Sequence, residues 1–186
     1  MVHRRRIMNA ERVDRTIRRI AAEVIEDCPD LKQLALIGIR TGGVNLTLRL
    51  ADFLKATENI DVPIGMLDIT LYRDDLDGRT PLLKKTEIEF DIDDKWIVLV
   101  DDVLFTGRTF RAALDALMDY GRPSCIRAAV LIDRRAHREL PIQPDYYGQI
   151  LDTAREEKVE VSIAAGRGRT DKVAVLTEVD SEEGQE

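Results

Sequence analysis

Ile97-Val98-Leu99-Val100-Asp101-Asp102-Val103-Leu104-Phe105-Thr106-Gly107-Arg108-Thr109 is the stretch on which the reading of this chain turns. The unbroken aliphatic run predicts a strand covered on both faces, running from Lys95 to Val100 and stopping at Asp101-Asp102. Val103 to Arg108 then reads as a turn. Beyond it Phe110, Ala113, Leu114, Leu117 and Met118 share one helical face, and Gly121 with Pro123 ends the helix. Phe105 to Thr109 would offer successive backbone N–H groups and the hydroxyls of Thr106 and Thr109 at a helix N-terminus, which suits a phosphate dianion. Gly107 lets the backbone come close. A nucleotide P-loop would need Gly-x-x-x-x-Gly-Lys, which is absent. Paired aspartates beside a phosphate cradle make electrostatic sense if a ribose lies between them, its hydroxyls donating to the carboxylates, and the same charges can stabilise a cationic sugar ring. Taken alone, the acidic pair is equally compatible with metal ligation or helix capping.

Working outward, Val13, Ile17, Ile20, Ala21, Val24 and Ile25 predict an amphipathic helix from Asn9 to Cys28, ended by Pro29. Leu34 to Ile39 reads as a buried strand, Arg40-Thr41-Gly42-Gly43 as a turn, and Val44 to Lys55 as a helix. Pro63 to Leu71 gives another strand. The charged stretch from Tyr72 to Lys85 reads as a mobile functional loop, returning through a short strand from Thr86 to Phe90 as a hinged ribbon. Ile126 to Ile132 is a further strand closing at Asp133-Arg134, and Val159–Ile163 with Val173–Leu176 suggests an antiparallel pair. Alternating strands and helices imply an α/β fold with a mainly parallel sheet flanked by helices. Ligands of such sheets bind beyond the carboxyl ends of the strands, so the turns starting at Arg40, Asp101 and Asp133 belong to one site.

With 186 residues, 44% of them hydrophobic, the chain suits a single domain over 1–180, followed by an acidic, disordered tail over 181–186. Cys28 and Cys125 sit among apolar neighbours at no metal-ligand spacing and read as free thiols of a reducing compartment. No apolar run approaches the roughly 20 residues of a membrane span, and the start lacks an apolar signal core, so a cytoplasmic location is expected. A net charge of −7 argues against indiscriminate nucleic-acid binding and leaves room for a local basic patch.

The quoted stretch resembles the phosphoribosyl-pyrophosphate motif of type I phosphoribosyltransferases. Asp68-Ile69-Thr70-Leu71-Tyr72-Arg73-Asp74-Asp75-Leu76, Gly121-Arg122-Pro123-Ser124 and His137-Arg138-Glu139-Leu140-Pro141-Ile142 are similar to the PyrR family in particular, with likeness running from about Ile17 to Val161. The resemblance implies a type I phosphoribosyltransferase fold with a hood and a mobile β-ribbon loop. It implies Mg²⁺-dependent transfer of the phosphoribosyl group of 5-phosphoribosyl-1-pyrophosphate (PRPP) to uracil, giving UMP and pyrophosphate, in a homodimer or homotetramer. It also implies regulation through UMP-dependent binding to a pyr mRNA leader.

Under that resemblance the catalytic set is Asp101, Asp102 and Arg73. The aspartates hold the ribose directly or through Mg²⁺, and Arg73, the mobile-loop arginine, meets the pyrophosphate. PRPP binding falls to Val103, Leu104, Phe105, Thr106, Gly107, Arg108 and Thr109, of which the last four cradle the 5′-phosphate. Arg40, Thr41, Gly42 and Gly43 form the pyrophosphate loop, although read alone they are also an ordinary turn before a helix. Asp133 and Arg134 place the base in the hood. RNA contacts fall to Arg15, Arg19, His137 and Arg138, beside Arg12, Arg18 and Arg135; a merely solvated basic face explains the same residues.

The chain departs from the family pattern in several places. Arg18-Arg19-Ile20-Ala21-Ala22 stands for Thr-Arg-Ile-Ala-His, Thr41-Gly42-Gly43 for Thr-Arg-Gly, and the segment after Asp133-Arg134 is one residue longer. Gly148-Gln149-Ile150-Leu151-Asp152-Thr153-Ala154 replaces Gly-Lys-Asn-Ile-Pro-Thr-Ser. Alternative functions are a nucleotide-sensing RNA-binding attenuator with little turnover and, disfavoured by His137 to Ile142, a purine phosphoribosyltransferase.

Overall fold

The computed structural model describes residues 1–73, 85–166 and 170–178. The body of the expected mobile loop, residues 167–169 and the expected acidic tail lie outside the described residues. Elements follow in the order β1 (Val2–Met8), α1 (Ala10–Asp27), β2 (Leu34–Ile39), α2 (Gly43–Glu58), β3 (Ile64–Leu67), β4 (Trp96–Leu104), α3 (Arg108–Met118), β5 (Cys125–Asp133), β6 (Tyr146–Ile150), β7 (Lys158–Ser162) and β8 (Lys172–Glu178). Short 3₁₀ turns occur at Thr70–Tyr72 and Arg135–His137.

The aliphatic runs form the core of a five-stranded parallel sheet, ordered β3-β2-β4-β5-β6. Residues of β2 are buried along its whole length, as are those from Ile97 to Val100, because helices cover both faces. On one face α1 and α2 pack Val13, Ile17, Leu46 and Leu50; on the other α3 packs Phe110, Ala113 and Leu117. Asn9 caps α1 by accepting the Arg12 N–H at 3.0 Å. A separate three-stranded antiparallel sheet, ordered β1-β8-β7, forms the hood. No described helix is long and apolar enough to cross a membrane.

Three expectations need correction. The central strand does not stop at Asp101-Asp102: β4 continues through Leu104, because β5 keeps pairing with it at Asp101↔Val130, Val103↔Ile132 and Leu104↔Asp133. The strand expected over Pro63 to Leu71 ends at Leu67, where the Asp68 carboxylate accepts the Thr70 N–H at 3.1 Å and turns the chain. Within 85–90 the expected return strand is an isolated bridge between Met66 and Glu87. Strands β1 and β6 were not anticipated.

Candidate active site

The carboxyl ends of β2, β4 and β5 converge, and the two aspartates there face different ways. Asp101 turns inward, only 7% exposed, its carboxylate accepting the Asp102 N–H at 2.9 Å. Asp102 alternates to the other side and lines a cavity of about 580 Å³ with Thr41, Gly42, Asn45 and the hood residues Ser162 and Thr170. Burial pushes the Asp101 carboxyl well above the ordinary aspartate range, the neighbouring Asp102 charge adds to the rise, and Arg73 opposes it. Burial also raises Asp102. Arg73 is thus close enough for its charge to reach Asp101.

The Arg40–Gly43 loop lies hard against these carboxylates. A Cβ at Gly42 would come within 2.4 Å of an Asp102 oxygen, and one at Gly43 within 2.0 Å of the Val100 carbonyl. Glycine is what allows this approach. The Arg40–Thr41 peptide is cis, and Arg40 donates to Glu87 at 2.8 Å. Directly beyond the loop stands the N-terminus of α2, with the positive end of its dipole beside Asp102.

At the far end of β4, Gly107 adopts φ +96°, a left-handed conformation that starts α3 at Arg108 without a capping side chain of its own. The segment after β5 wraps round this turn. Arg134, 5% exposed, lies over the Phe105 ring at 4.0 Å, donating to the Thr153 hydroxyl and the Ala154 carbonyl, each at 2.8 Å. Burial lowers its pKa from the usual guanidinium value, with Glu157 opposing. His137 meets the same ring edge-on at 5.3 Å and shares a 2.6 Å hydrogen bond with the Thr153 carbonyl. A second cavity, about 520 Å³, opens between Val103, Phe105 and Arg134 on one side and Arg155, Lys158 and Val159 on the other.

Asp133 is placed differently from Arg134. Its side chain is fully buried beneath the strap, paired with Arg138 and, at 3.2 Å, with Arg135, while its carbonyl accepts the Leu151 N–H. It supports the strap and does not line the second cavity. Among the basic residues expected to face RNA, Arg15 is 71% exposed beside Glu11. Arg19 donates to the Tyr147 and Gly148 carbonyls at 2.8 Å, and Arg12 to the Gln149 side chain at 3.0 Å, so both stitch α1 to β6. Arg138 turns inward onto Asp133 and the Phe105 carbonyl.

Sequence reasoning passed over Asn45, whose amide donates to the Ile163 carbonyl at 2.7 Å and ties α2 to the hood. It also passed over Arg155, which shares Glu139 with Arg108. Neither lies in a recognisable motif. Among the described residues no group of three or more His, Cys, Asp or Glu forms a metal cage. A hard cation at the acidic pair would take Asp102, with Asp101 behind it, and complete its oxygen shell from ligand and water. Two desolvated carboxylates with raised pKa values fit such a cation.

A glycine turn leading from a parallel strand into a helix, beside an acidic pair, marks the class: residues 3–164 match the phosphoribosyl transferase domain. A hypoxanthine-guanine phosphoribosyltransferase from Bacillus anthracis shares this type I fold, with a TM-score of 0.71 over 96% of this chain and 100% of that one at 16% identity. Bifunctional protein PyrR of Picosynechococcus sp. is 54% identical over 166 residues, covering 88% of this chain and 92% of that protein. The PyrR of Deinococcus radiodurans is 52% identical over 159 residues, covering 84% and 86%. The chain belongs to the PyrR family.

Proposed function

We propose that this protein transfers the phosphoribosyl group of PRPP to uracil, yielding UMP and pyrophosphate, and that it regulates pyrimidine genes by UMP-dependent binding to pyr mRNA. The observation that carries the reading is the position of Asp102. It stands at the junction of the Gly42 loop, the large cavity and the strand leading into the Phe105–Thr109 turn. PRPP laid across this junction would put its 5′-phosphate in the turn, its ribose hydroxyls on Asp102 and its pyrophosphate in the Arg40–Gly43 loop. Uracil would then occupy the second cavity, its flat faces against Val103 and Phe105 and a carbonyl within reach of Arg134.

Departure of pyrophosphate leaves cationic character on the sugar, which the paired carboxylates stabilise; no protein nucleophile is required. Mg²⁺, held by Asp102 through ribose or water, would offset the charge of the leaving group. Arg73 would meet the pyrophosphate as the bound substrate is enclosed. The protein would work in the cytoplasm as a homodimer or homotetramer. Exposed Arg15 and its neighbours on α1, together with Arg135 and His137, are the proposed RNA face; the departures at Ala22 and Gly42 fall in the same regulatory and pyrophosphate segments.

The test is UMP formation from uracil and PRPP with Mg²⁺, with guanine and hypoxanthine offered in parallel. Uracil should be the preferred base, and Asp102→Asn should lower kcat/KM on the order of a hundredfold or more. Turnover of a purine in preference to uracil would sink the base assignment. Saturable UMP binding without turnover would favour the sensor alternative. Leader-RNA affinity unchanged by UMP would sink the regulatory half.

A further inference from the structure

We propose that Arg138 is a positioning residue for the 5′-phosphate turn, acting by fixing the direction of the turn's peptide groups. The proposal rests on reading Phe105–Thr109 as the phosphate cradle. Its grounds are what the strap over 134–142 does to the outer side of that turn. Arg138 donates to the Phe105 carbonyl, and the Glu139 and Leu140 N–H groups donate to the Thr106 carbonyl at 3.0 and 3.2 Å.

In a trans peptide the carbonyl and the following N–H point in opposite directions; the cis bond recorded here is Arg40–Thr41, outside this turn. Turning the Phe105 carbonyl towards Arg138 therefore sends the Thr106 N–H the other way. Turning the Thr106 carbonyl towards the strap does the same for the Gly107 N–H. Both amides are aimed into the concave side of the turn before any ligand arrives, which is the arrangement an anion site needs.

Arg138 is itself firmly held. Its side chain is 13% exposed, one branch of the guanidinium lies on fully buried Asp133, and its Nε is buried without a hydrogen-bond partner. A guanidinium placed this way offers little to solvent or to a polyanion on the surface, and its desolvation is repaid only through the two groups it joins. The strap also blocks retreat. A Cβ at Gly107 would lie 3.3 Å from Leu140 Cβ, 3.5 Å from Ile142 Cβ and 3.6 Å from Arg138 Cδ. Because the same strap begins at Arg134, the base-side cavity and the phosphate turn share one structural support.

The experiment compares UMP with uridine, which lacks the phosphate, by calorimetric titration of wild type, Arg138→Met and Arg138→Lys, alongside steady-state kinetics. Wild type should prefer UMP. Arg138→Met should lose about tenfold in UMP affinity, as loss of a charged hydrogen bond implies, while uridine affinity changes by less than about twofold. Arg138→Lys, able to reach one partner but not both, should recover part of the loss, and KM for PRPP should rise more than kcat falls. An unchanged UMP-to-uridine ratio, or equal losses for both ligands, would overturn the proposal. Wild-type protein that binds uridine as tightly as UMP would overturn the phosphate reading itself, and the proposal with it. Should Arg138→Met not fold, the ratio in Arg138→Lys decides.

Discussion

Asp101 and Asp102 differ by one position and by almost everything that matters chemically. Asp101 is a buried acid whose charge comes at some expense to the fold. Its raised pKa means that ionisation disfavours the folded state: the penalty is present above the folded pKa and fades as pH falls through it towards the unfolded value of 3.8. Asp101→Asn keeps an oxygen to accept the Asp102 N–H. It should raise Tm by about 2–4 °C at pH 7, roughly 1 kcal/mol, with the gain shrinking as pH is lowered, and it should lower kcat. Thermal melts across pH read this directly; a variant less stable than wild type at pH 7 would refute it. At this scale the motif was legible, because residue types and spacing carry it. Side-chain direction was not. Which aspartate faces the ligand depends on how far β4 continues, and that is set by β5, a strand distant in sequence. The inward turn of Arg138 likewise depends on a buried Asp133 that no spacing rule points to.

Between elements, the joint made by Arg49 stands out. This arginine of α2 is 1% exposed and pairs with Asp14 of α1 and with Asp171 ahead of β8, each at 2.8 Å, while donating to the Gly166 carbonyl at 3.1 Å. Asp14 loses solvation through partial burial, which would raise its pKa, but Arg18 and Arg49 outweigh that and lower it. Its contribution to stability is thus present above pH 3.8 and is lost as pH falls through the lowered value. Arg49→Met leaves Asp171 buried and unpaired, which should cost about 3–5 kcal/mol, or roughly 6–20 °C in Tm, measurable by calorimetry. A change under about 1 kcal/mol would show that the joint relaxes around the loss. Helices were legible because α1 and α3 each show one apolar stripe. Strands β1 and β6 were not: β1 is a charged edge with five consecutive exposed residues, and β6 carries Gly148 where a Cβ would meet the Leu131 carbonyl at 2.3 Å.

Taken whole, the molecule is a parallel-sheet core and a small antiparallel hood with the proposed ligand between them. The core follows from alternating strands and helices, and so could be read from the sequence. Of the hood, the antiparallel pair β7–β8 could be read as well; its third strand could not, because β1 comes from a distant part of the chain. A ligand held by both layers stabilises their union. UMP at about a hundred times its Kd should add roughly 2.7 kcal/mol, raising Tm by about 5–10 °C, and uridine at the same concentration should add less. A Tm that does not respond to UMP would show that the folded protein does not bind the nucleotide.

Val2 pairs with Glu178 and Arg6 with Ala174, so the arginine-rich strand is synthesised long before its partner exists. At about 5–20 residues per second, the wait on the ribosome is on the order of ten seconds. Through that interval the nascent chain can assemble its parallel core while β1 trails as an unclaimed edge. Its mutually repelling arginines guard it against capture by another emerging chain. A polypeptide stalled before β8 would therefore have no finished hood, and catalytic competence would wait for that strand to emerge.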